Sequence, residues 1–199
     1  MTIFSSRLRT ILANKTPARG IWLSPRLAAL PLPILRYDDP FLPFGKDSIS
    51  ATRDLACVYV FDLAAYMALG APGVVALERT IHYANAGGDV LTVLHGPLAS
   101  ACYLTACGET AFAVAGVTVS DPALVDVYAA QHEAGVFVVG VPEWGGSRLV
   151  ITGEATQLTV VAQDQQIVIP LGGDAVVYAS RGEDFALAAR ARLLEMSDD

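Results

Sequence analysis

Charge is scarce in this 199-residue chain: Asp, Glu, Lys and Arg make up 17% of it, with 13 basic residues against 20 acidic ones and a net charge of −7. Having so few cations and no Lys/Arg cluster, the sequence offers no footprint for nucleic-acid phosphates and none for anionic lipid. Cysteine is scarce as well. The three present, Cys57, Cys102 and Cys107, are an odd count without framework spacing, as expected of reduced thiols in a cytoplasm. Long apolar runs are missing. Asp62 splits the runs 56–61 and 63–71, and the run 111–119 reaches only about half a bilayer span, so no transmembrane helix is expected. Residues 1–18 have no central apolar region and do not read as a secretory signal.

Apolarity is what the chain does have: 53% of its residues are hydrophobic, and its mean hydropathy is +0.46. That excludes disorder and supplies a core without staples. The surplus points to a subunit interface, so a homodimer or a subunit of a larger assembly is expected. No repeat or composition shift divides the sequence, and residues 1–199 read as a single domain.

Apolar runs alternate with segments of helical period. Helices are predicted over 4–13, 46–55, 72–86, 99–107, 123–134, 157–162 and 182–196. Strands are predicted over 20–24, 56–61, 89–94, 113–119, 136–141, 149–152, 166–170 and 175–179. The Pro-rich passage with Pro31, Pro33, Pro40 and Pro43 reads as irregular. Strand then helix, repeated at this spacing, argues for a parallel α/β fold rather than hairpins. A (β/α)8 TIM-barrel-like domain fits, with shortened or missing elements near the C-terminal end, because about 250 residues is typical of that fold.

Several local strings, in this order, resemble the orotidine 5'-monophosphate decarboxylase family, in its longer bacterial subgroup. They are FSSRLRTILAN at 4–14, DDP at 38–40, ATRDL at 51–55, LGAPGVVALERTI at 69–81, GVFVV at 135–139 and VYASRGEDFALAA at 177–189. The resemblance implies a barrel, usually homodimeric, with a cofactor-free site at the C-terminal strand ends and a place in pyrimidine biosynthesis as a lyase. There one carboxylate stresses the substrate carboxylate and a lysine ammonium protonates the carbon left behind.

The chain departs from that pattern. Val60 stands where the family's second-strand Lys would be, and Val93, His95 and Leu98 stand where its third-strand Asp, Lys and Asp would be. The first-strand substrate-contacting Asp falls near Ser24. Only two lysines exist, Lys15 and Lys46, neither at a strand end. The expectation is therefore a family member without catalysis, kept for binding or assembly. The family's phosphate grip survives only as Gly172 and Gly173, which read as a turn or as a small nest for an anionic ligand. Arg181 lies beyond the position of the family's phosphate Arg and takes no such role.

Barrel logic places Asp62, His95, Ser120, Glu143 and Glu154 at successive strand ends, around one rim. Asp62, His95, Glu143 and Glu154 could form a rebuilt acid–base site; equally they read as solvated loop starters, and His95 as a hydrogen-bonded strand-end histidine. Ser24, Ser120, Gly172 and Gly173 are the candidate ligand contacts. His82 and His132 read as surface residues on helices, Cys102 and Cys107 as core, and Trp144 as a loop anchor or a contact residue. Metal-ligand spacings, a nucleophile elbow and nucleotide loops are missing, so neither metal nor cofactor is expected.

Overall fold

The structure, a computed structural model, describes residues 3–196 apart from 97–100, 109–110, 132–133, 142, 152–155 and 163–164. Helix α1 (Ile3–Asn14) precedes strand β1 (Gly20–Leu23). A loop with two 3-10 turns leads to α2 (Phe41–Thr52) and β2 (Val58–Asp62). Then come α3 (Leu63–Met67), α4 (Ala71–Asn85), β3 (Leu91–His95), α5 (Ala101–Cys107), β4 (Gly116–Val119), α6 (Val125–Gln131) and β5 (Gly135–Val139). The chain ends with β6 (Arg148–Ile151), β7 (Thr156–Ala162), β8 (Gln165–Gly172), α7 (Asp174–Val177) and α8 (Phe185–Glu195).

The eight strands close into one barrel in chain order. Strands β1 to β6 pair in parallel, and β8 returns parallel to β1 through Gly20 opposite Leu171. The seam departs from the expected alternation, because β6–β7 and β7–β8 are antiparallel. Only residues 152–155 and 163–164 separate these strands, too few for crossover helices. The expected shortening near the C-terminal end takes this form.

Three sequence-based assignments are corrected. Residues 157–162 form a strand and not a helix: Leu158 and Val160 turn into the barrel, while Gln157, Thr159 and Val161 alternate outward. Residues 175–179 hold no strand. Once Leu171 and Gly172 have paired with β1 the ring has no vacancy, and Asp174–Val177 turns as a helix burying Val176 and Val177. Helix α2 starts at Phe41, not at residue 46, because Pro40 and Pro43 fall at its cap and first turn, where no intrahelical N–H bond is lost.

Two apolar layers follow from strand alternation. Val58, Val60, Leu91, Val93, Phe137, Leu149, Leu158, Val160, Ile169 and Leu171 fill the barrel, and Phe4, Leu8 and Ile11 of α1 pack into the same cluster. Ile21, Leu23, Tyr59, Phe61 and Leu94 face outward onto Phe41, Phe44, Leu77, Ile81 and Phe185 of the surrounding helices. The N-terminal end of the barrel is tied by Lys15, which donates to Arg53 O at 2.6 Å and Ala56 O at 3.0 Å and lies 3.5 Å from the Asp89 carboxylate. Among the described residues, no helix is long and apolar enough to cross a membrane.

Candidate functional site

Strand register brings four polar residues into one row at the C-terminal ends. Leu23 pairs with Phe61, Asp62 with His95, and Leu94 with Val117, so Ser24, Asp62, His95 and Thr118 are successive neighbours. They share the strand face of Trp22, Val60 and Val93, the face turned into the barrel.

Asp62 is fixed from two sides. Its Oδ1 accepts the Ala64 and Ala65 N–H groups at 3.1 and 3.4 Å, capping α3, and its Oδ2 accepts the Ser24 hydroxyl at 3.0 Å. The His95 Nδ1 lies 3.1 Å from Thr118 Oγ1, which also accepts the Gly96 N–H at 3.1 Å. Thr118 Oγ1 keeps a second lone pair and its own hydrogen, so it can either accept from Nδ1 or donate to it, according to the His95 tautomer. Burial pulls the His95 pKa below its ordinary range, while Asp62 pulls it up. The Trp22 ring lies against His95 with centroids 5.0 Å apart.

The other candidates are not gathered here. Glu143 is exposed in the loop after β5, and Ser120 is exposed just beyond β4. Glu154, His132 and Leu98 lie outside the described residues, as does the Cys102 side chain. Gly172 is buried where β8 meets β1, and the Gly173 carbonyl accepts the Val176 and Val177 N–H groups of α7. The nearby charges are paired with each other, Arg26 to Asp174 at 2.5 Å, and Arg26 also lies over the Tyr178 ring. Lys46 lies over the Tyr83 ring on the outer helices, 4.9 Å from its centroid. His82 is exposed beside the Ala111 carbonyl, and Trp144 packs against the outer cluster. Burial pushes the Cys57 thiol up to about 11 and the Cys107 thiol up to about 12, so both are inert core thiols. Among the described residues, no group of three or more His, Cys, Asp or Glu side chains could hold a metal ion.

Thr118 and Trp22 were not among the sequence candidates. Their signal was two-residue periodicity: once Val60 and Val93 are taken as inward, every second residue of the neighbouring strands is inward too.

A closed eight-stranded barrel wrapped by helices, parallel from β1 to β6, with polar side chains gathered at the C-terminal strand ends, defines a TIM-barrel-like protein. Within that class the chain is similar, over part of its length, to proteins named orotidine 5'-phosphate decarboxylase. It is 35% identical over 74 residues to the enzyme of Flavobacterium johnsoniae, a match covering 37% of this chain and 27% of that protein. It is 36% identical over 77 residues to that of Thermomicrobium roseum, covering 39% and 27%. A Toxoplasma gondii structure, provisionally assigned as an orotidine-monophosphate decarboxylase, superposes with a TM-score of 0.55 at 26% identity, over 68% of this chain and 47% of that one. The Leishmania donovani OMP decarboxylase shares the fold, with a TM-score of 0.53 at 20% identity over 73% and 56%. The matches thus span about a quarter of the curated relatives and about half of the solved structures. No family model matches the chain.

Proposed function

We propose that this chain is a decarboxylase-like barrel that does not decarboxylate. It serves in the cytoplasm for binding or assembly, as a homodimer or as a subunit of a larger complex. One observation carries the reading: both lysines are engaged away from the strand ends, Lys15 at the opposite end of the barrel and Lys46 on its outer surface. Protonating a carbanion needs an acid with a proton to give, aimed at it. Here Val60 and Val93 fill the interior, His95 is biased to neutrality, and Arg26 is paired and does not release its proton. Exposed apolar residues support an interface: Leu27, Leu32, Leu35 and Tyr37 before α2, and Leu187 and Leu194 on α8. The test is turnover of orotidine 5'-monophosphate by the purified chain, followed by loss of substrate absorbance. No loss beyond the buffer control is expected, and measurable turnover overturns the reading.

A second reading rests on the pairing of Asp62 with His95 across β2 and β3. In it His95 acts as an acid–base group in a rebuilt site. Loss of an ester- or amide-cleaving activity in His95→Asn would favour it.

A further inference from the structure

Among the described residues the Asp62 carboxylate is held by neutral groups. Among the described residues no Lys or Arg forms an ion pair with it: Lys15 and Arg53 hold Asp89, Arg26 holds Asp174, Arg190 holds Asp54 and Arg192 holds Glu195. Its hydrogen bonds come from uncharged donors, two amides on Oδ1 and the Ser24 hydroxyl on Oδ2. A carboxylate oxygen has two lone pairs, so Oδ2 keeps one for a further donor. The neighbouring His95 does not neutralise it, because burial disfavours the imidazolium and Thr118 holds Nδ1.

The inward face that carries Asp62 also carries an aromatic ring one step deeper, level with Val60. Trp22 is half-buried, shares the inward face with Asp62 and leans on His95 at 5.0 Å between centroids. A carboxylate and an indole on one strand face suit an organic cation, since both the ring quadrupole and the full negative charge attract it. An anion would meet Asp62 at the rim and Asp174 at the end of β8, with the Arg26 charge already matched.

We propose that this rim binds a small organic cation bearing an ammonium, amidinium or guanidinium group, with Asp62 as counter-ion and Trp22 as the face it lies against. The proposal is independent of whether the chain decarboxylates, and its test reads binding alone.

Benzamidine, an aromatic amidinium, is the probe, and benzoate and inorganic phosphate are the opposite-charge controls, titrated by calorimetry and by tryptophan fluorescence. Benzamidine should bind and change the fluorescence of the chain and of Trp144→Phe, but not that of Trp22→Phe. The controls should not bind. Asp62→Asn keeps an α3 cap and removes the charge, and should weaken benzamidine binding by about tenfold or more. Absence of benzamidine binding, equal binding of benzoate or phosphate, or undiminished binding by Asp62→Asn would each overturn the proposal. The comparison on the unmodified chain decides it even if a variant fails to fold.

Discussion

The Thr118 hydroxyl joins two strands by a single atom, meeting His95 Nδ1 at 3.1 Å and the Gly96 N–H at 3.1 Å. Thr118 is fully buried, so solvent does not readily substitute for these contacts. Thr118→Val keeps the shape and leaves a buried amide and a ring nitrogen without their partner. The expected loss is about 1–3 kcal/mol in urea unfolding. Nitrogen NMR of the His95 ring should also show the tautomer mixture changing.

The His95 environment sets an acid limb on stability. Burial holds its folded pKa below the ordinary value of 6.5, with Asp62 opposing. The unfolded chain therefore takes up the proton first as pH falls. The stability tied to neutral His95 is complete above pH 6.5 and declines as pH drops from there through the folded value. Urea unfolding between about pH 7.5 and 5.5 should show the decline, and His95→Asn should flatten it.

At the barrel seam, Gly20 lies opposite both Val58 and Leu171. A Cβ there would stand 2.5 Å from Val58 Cγ1, 2.6 Å from Leu171 Cδ2 and 2.8 Å from the Val58 carbonyl oxygen. Gly20→Ala should cost about 1–3 kcal/mol by overpacking, read as a lower urea midpoint with an unchanged slope.

Restoring one lysine should not restore the chemistry. Val60 is fully buried among Val58, Val93 and the other barrel side chains. An ammonium placed there sits in the apolar layer and meets a carboxylate only by extending toward Asp62 at the next step of the same face, so Val60→Lys should lose about 1–3 kcal/mol of stability. It should also gain no decarboxylation, which the same absorbance assay checks.

The parallel half of the barrel was legible in the sequence because each βα unit announces itself locally. The segment 71–85 carries Pro72 in its first turn, and 91–95 is a short apolar run after Gly87 and Gly88. The seam was not legible in the same way. In 156–162 the inward Leu158 and Val160 are followed by the outward Val161, which blurs the alternation, and the pairing with β6 and β8 is a tertiary fact. Asp62 and His95 could be read as strand-end residues, but their partners could not. Which hydroxyl reaches Asp62 and which reaches His95 depends on register between strands far apart in sequence, Ser24 against Asp62 and Thr118 against His95.

The most direct measurement is release of labelled carbon dioxide from carboxyl-labelled orotidine 5'-monophosphate, with the purified chain at high concentration beside a buffer control. With Lys15 tied to Arg53, Ala56 and Asp89 and no lysine at the strand ends, the expected release equals the control. Release above it would contradict the account at its centre, whatever residue supplied the proton.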